Sequence, residues 1–149
     1  MHAGTTARSP RATIEVAVLI AGAAQSLYKR ADGALFVAGV PGQPYALRVR
    51  NLTGSWIEVI TSVDGRNTLK DERADQHANG GFAVPACGFY DFTGFRLDDG
   101  TVREFVFGSP GRLERTVAVQ AAGSTANVGV FGFAAYCDRE YRPYFGSLN

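Results

Sequence analysis

Residues 45–65 read YALRVRNLTGSWIEVITSVDG. Tyr45, Leu47 and Val49 alternate with Arg48 and Arg50, the two-residue period of a strand with one face buried and one wet. That pattern suits an antiparallel sheet packed on one side. Asn51-Leu52-Thr53-Gly54 supplies a turn, and the chain returns from Trp56 to Val63 with Ile57, Val59 and Val63 on one face. Asp64-Gly65 then closes the run with a strong short hairpin signal. Asp64, Gly65 and the nearby Asn67 are therefore expected to be structural turn residues.

The same rhythm extends outward in both directions. Upstream, strands are expected at 12–20, 25–30 and 35–37, with a hairpin turn at Asp32-Gly33 and a break at Pro41-Gly42. Downstream they are expected at 82–84, 88–97, 102–107, 116–119 and 127–136, with Asp98-Asp99-Gly100 turning between two of them. Residues 66–81 form one long polar stretch, read as a surface loop. Residues 1–11 are small, polar and basic and read as an N-terminal arm. Residues 138–149, with Tyr141, Tyr144 and Phe145 around Pro143, read as an aromatic C-terminal tail. The expectation is an all-β fold: a single antiparallel β-sandwich, jelly-roll-like, over 12–137, with extended N- and C-terminal arms.

The bulk composition narrows the function classes. With 149 residues, 46% hydrophobic and 19% charged, the chain can bury a full core and is not of the disordered kind. A net charge of +1 gives no field to hold a polyanion, so no nucleic-acid partner is expected. No apolar run approaches the 18 residues of a spanning helix, so no membrane partner is expected. The run 16–24 (VAVLIAGAA) has a faint leader-like look, but Glu15 heads it and Ile14, Val16, Val18 and Ile20 alternate as a strand does. Cys87 and Cys137 fit no zinc spacing; each reads as a small buried apolar residue, with a single bridge left open.

Four short motifs occur in a fixed order: Arg48 to Gly54, Ser62 to Asn67, Gly94 to Arg96 and Asn127 to Val130. In this order the chain resembles an uncharacterised family of small β-sandwich domains from bacterial, phage and large-virus proteins. Its pattern is RNxTG, SVDGxN, GFR and NVGV, and the phenylalanine-rich 102–108 falls between the last two. The likeness covers residues 38–135 and implies the sandwich fold; it brings no chemistry with it. The arm and the tail lie outside the pattern, and residues 66–81 depart from it in length and charge.

Residues able to carry chemistry are few. His2 lies on the arm and His77 in the polar loop, and no nucleophile elbow accompanies either. Asp64, Asn67, Asp71, Glu72 and Asp75 offer oxygen ligands but lack the spacing of a calcium loop. Glu58, Asp91 and Glu104 fall on strands and read as outward-facing polar positions rather than a glycosidase pair. Gly129 and Gly132 sit within a strand, not in a phosphate loop. Asn51-Leu52-Thr53 is a glycosylation acceptor only in a secreted chain. Trp56, Tyr90 and Phe92 could form a ligand platform if they share an exposed face, though on strands such rings more often belong to the core. No catalytic, metal or cofactor residue is therefore expected.

The functional expectation is a non-enzymatic structural or assembly protein, a virion component such as a minor capsid or decoration protein. Its partners would be other protein subunits, as a homo-oligomer or a capsid lattice, docked through sandwich edges and the tail anchors Tyr141, Tyr144 and Phe145. The alternative is a secreted or cell-surface β-sandwich module that binds carbohydrate or another ligand.

Overall fold

The computed structural model describes residues 2–69, 81–97, 99–108 and 129–136. The expected strand at 116–119, the tail 138–149, His77, the acidic residues of 70–80 and Cys137 lie outside them. Within them every regular element is a strand: β1 (Ala7–Arg8), β2 (Ile14–Ile20), β3 (Ala23–Ala24), β4 (Leu27–Lys29), β5 (Leu35–Val37) and β6 (Ala46–Asn51). There follow β7 (Ile57–Val63), β8 (Arg66–Asn67), β9 (Phe82–Val84), β10 (Phe89–Phe92), β11 (Gly94–Arg96), β12 (Val102–Glu104) and β13 (Phe131–Tyr136). The fold is all-β and sandwich-like, with every strand pair antiparallel.

One sheet runs β1-β2-β6-β10, with β3 folded back on the end of β2. The facing sheet is built on β7, with β13 along one side and β8 and β9 sharing the other. Register explains the alternation in the opening stretch. Leu47 lies between Val18 and Phe92, and Val49 between Val16 and Tyr90, so these residues share the inner face. Ile57, Val59 and Val63 meet them from β7, and all three are buried with Val84. Burying each such side chain contributes about 1.5–3 kcal/mol, the largest favourable term the domain has.

The two sheets are joined where strands change partner. Residues 88–97, expected as one strand, divide at Thr93: β10 pairs with β6, and β11 pairs with β12. The chain after β12 then joins the approach to β6, through Tyr45 N–H to Phe105 C=O and Phe107 N–H to Gln43 C=O. Arg96 N–H bonds Thr68 C=O and ties β11 to the strip beyond β8. Gly94 permits this crossing, because a Cβ there would stand 2.2 Å from the Arg103 carbonyl oxygen. Strands that switch sheets in this way make the corners of a sandwich.

Residues 2–11 do not stand off as an arm. Ala7 and Arg8 pair with Val16 and Glu15, and His2 bridges to Tyr28. Ser9 makes the connection: its hydroxyl oxygen accepts from the Thr13 and Ile14 N–H groups at 3.0 and 3.1 Å. Ala12, at φ 54°, completes the reversal. Pro10 sits inside this tight turn, where its fixed φ is an asset.

Candidate functional site

The sandwich has two unlike ends. At one, Asn51 is buried at the end of β6, and its Nδ2 donates to the carbonyls of Ser55, Val84 and Pro85 at 2.7, 3.1 and 3.0 Å. Its Oδ1 accepts from Thr53 N–H and Thr53 Oγ1. The asparagine, threonine and glycine of the first motif are thus a turn that knits β6, β7 and β9 together. This geometry also removes Asn51 from consideration as a glycan acceptor in the folded domain, since its amide is buried and spent.

Among the described residues the other end is open. A cavity of about 970 Å³ lies there between the sheets. Tyr45 forms its aromatic centre, with ring centroids 4.4 Å from Phe107, 5.4 Å from Phe105 and 5.5 Å from Phe131. Burial, reinforced by the Asp64 carboxylate, pushes the Tyr45 phenol above its ordinary range. Leu35, Phe36, Val106 and Val130 also line this cavity, and all four are exposed. Apolar surface left in the open at a concave site is the usual mark of a docking surface or ligand groove.

Asp64 and Gly65 close the β7–β8 hairpin beside that opening, both with positive φ (54° and 77°), as a two-residue primed turn requires. Asp64 does more than turn the chain. Its Oδ1 accepts the Gly129 N–H at 2.6 Å, and its own N–H bonds Val130 C=O. It thereby anchors the entry to β13. Asn67 is buried, with its Oδ1 accepting from Leu69 N–H.

The candidate platform does not assemble as an exposed set. Tyr90 and Phe92 share the inner face of β10, where they pack with Phe82 at centroid distances of 3.9 and 5.6 Å. Phe92 is buried, because its register neighbour Leu47 belongs to the core. Trp56 is half-buried at the entry to β7. Cys87, expected inside, is exposed in a turn at φ 58°, held by its N–H to Thr53 C=O. Glu58, Asp91 and Glu104 are dispersed over β7, β10 and β12. Among the described residues no group of three or more His, Cys, Asp or Glu stands together to hold a metal ion.

The outer face of the first sheet brings together residues the sequence reading did not connect. Arg48 makes a two-pronged ion pair with Asp91, Nε to Oδ1 at 2.7 Å and Nη2 to Oδ2 at 2.9 Å. That carboxylate raises the Arg48 pKa further above its already high value. Its guanidinium also lies 4.2 Å from the centroid of the Phe89 ring, and that of Arg50 lies 5.0 Å from it. Alternation in Phe89-Tyr90-Asp91-Phe92 signals two faces; only the register with β6 decides that Phe89 and Asp91 face water.

Scans of protein-family models, curated proteins and solved structures each returned no match to this chain.

Proposed function

We propose that the domain is a non-enzymatic structural protein, a minor capsid or decoration component of a virion, that assembles with copies of itself through its open end. The observation that carries this reading is the cavity of about 970 Å³ with exposed Leu35, Phe36, Val106 and Val130 around it. The occupant is the C-terminal segment of a second copy. Beyond β13 the sequence continues through residues 137–149, which carry Tyr141, Tyr144 and Phe145. Thirteen residues reach up to about 43 Å when extended, enough to leave one subunit and enter the next. Aromatic side chains seated in an apolar pocket supply most of the binding energy of such a contact. The step from assembly to a virion rests on likeness of fold class and motif order alone.

Light scattering on the full chain and on a chain ending at residue 137 tests this reading. A defined oligomer that becomes monomeric on truncation supports it. A monomeric full chain, or one whose truncation lowers only stability because the tail packs on its own subunit, overturns it.

A further inference from the structure

The outer face of the first sheet is a second surface, independent of assembly. Register aligns Arg8, Glu15, Arg50 and Phe89 in one row across β1, β2, β6 and β10, and Arg48 with Asp91 in the next. The carboxylates are already engaged: Glu15 pairs with Arg8 at 3.0 Å and Asp91 with Arg48 at 2.7 Å. Among the described residues Arg50 makes no ion pair or hydrogen bond with its guanidinium; its one partner is the Phe89 ring, which is 47% exposed. Among the described residues, three arginines against two carboxylates leave this face one positive charge, and that charge sits directly across the strand pair from the half-exposed Phe89 ring, which the Arg48 and Arg50 guanidinium groups both approach from the β6 side.

We propose that Phe89 and Arg50 form a shallow site for an acidic sugar, a pyranose bearing a carboxylate or sulfate. The apolar C–H face of the pyranose covers the Phe89 ring, and the anion meets the Arg50 guanidinium, whose planar fork suits both groups. The Asp91 oxygens keep lone pairs beyond those used by Arg48 and accept from sugar hydroxyls. A single uncompensated charge is too little for a polyphosphate backbone, which is held by many contacts at once. Among the described residues the face offers one exposed ring and one uncompensated charge, fewer contacts than an extended acidic peptide would need. Both strands are fixed by the core beneath, since Val49 and Leu47 alternate with Arg50 and Arg48, so the site is rigid before the ligand arrives.

The test is amide chemical-shift mapping on the full chain with four probes. These are a glucuronate-containing disaccharide, a heparin tetrasaccharide, neutral chitobiose and a glutamate-rich hexapeptide. The acidic sugars are expected to shift residues 48–50 and 89–91, with binding that weakens as salt rises. Phe89→Ala and Arg50→Ala should each weaken it about tenfold or more, while Arg50→Lys retains part of it. All three variants are surface changes and should melt with the parent. No shift at these residues with either acidic sugar, equal binding of chitobiose, or binding of the peptide alone would overturn the assignment. Each outcome can be read on monomer or oligomer, so it is separate from the fate of the assembly reading.

Discussion

The two ends of the sandwich solve the same problem in opposite ways. At the Asn51 end a buried amide answers three carbonyls and two donors, and the sheets are laced shut by polar contacts. At the Tyr45 end the sheets part around a cavity, and rings and branched side chains are left facing it or the solvent. Buried polar groups that are fully satisfied fix one arrangement, because losing any partner is costly. Exposed apolar groups stabilise little within the subunit and become valuable only when something covers them. The closed end therefore holds the fold, and the open end is the surface that the proposed assembly would use.

The largest expected effect is at the closed end. Asn51→Ala strips the carbonyls of Ser55, Val84 and Pro85 of their donor and should cost about 3–4 kcal/mol in urea unfolding. Thr53→Ala, which removes one hydroxyl from the same turn, should cost about 1 kcal/mol. A cost under about 0.5 kcal/mol for Asn51→Ala would erase the contrast between the ends.

Alkaline titration probes the open end from inside. The raised pKa of Tyr45 means its contribution is full below the ordinary tyrosine range and is lost as pH rises through and beyond it. Absorbance of the phenolate should show one of the six tyrosines titrating late, together with unfolding. Tyr45→Phe should abolish that late step and move alkaline unfolding to higher pH. On the rim, Phe36→Ser with Val106→Ser should change stability by less than about 1 kcal/mol while disrupting self-association. A larger loss would mean these residues belong to the core.

The smallest effects lie in the hairpin tips that flank the cavity and the β11–β12 crossing. Asp32, paired with Arg30 and accepting Ala34 N–H, and Asp99, accepting from Thr101 Oγ1 and N–H, are both held below their ordinary carboxylate range. Their support is present above that range and fades as pH falls through their lowered values. Carboxyl NMR titration should find both below the ordinary aspartate range, with no cooperative unfolding at that step.

Much of the fold was legible because the strands of 45–63 alternate cleanly and their turns use residues with a mechanism. The Asp-Gly pairs at 32, 64 and 99 all sit in turns, and each glycine adopts positive φ. What could not be read was register. It alone buries Phe92 and turns Phe89 outward, and it alone recruits residues 7–8 as an edge strand instead of an arm. Partner exchange at Thr93 left no mark in a run that is strand-like throughout. The Asn51 turn was visible as a turn, yet its role as a hydrogen-bond hub depends on Val84 and Pro85, more than thirty residues away. Cys87 was misplaced because small and apolar usually means inside, whereas here it occupies a left-handed turn position.

The most direct test of the central claim is light scattering on the full chain beside the Phe36→Ser/Val106→Ser variant, with urea unfolding of both as the control. The account predicts a defined oligomer for the parent and a monomer of nearly equal stability for the variant. A parent that is monomeric, or a variant that keeps the parent's oligomeric state, would contradict it.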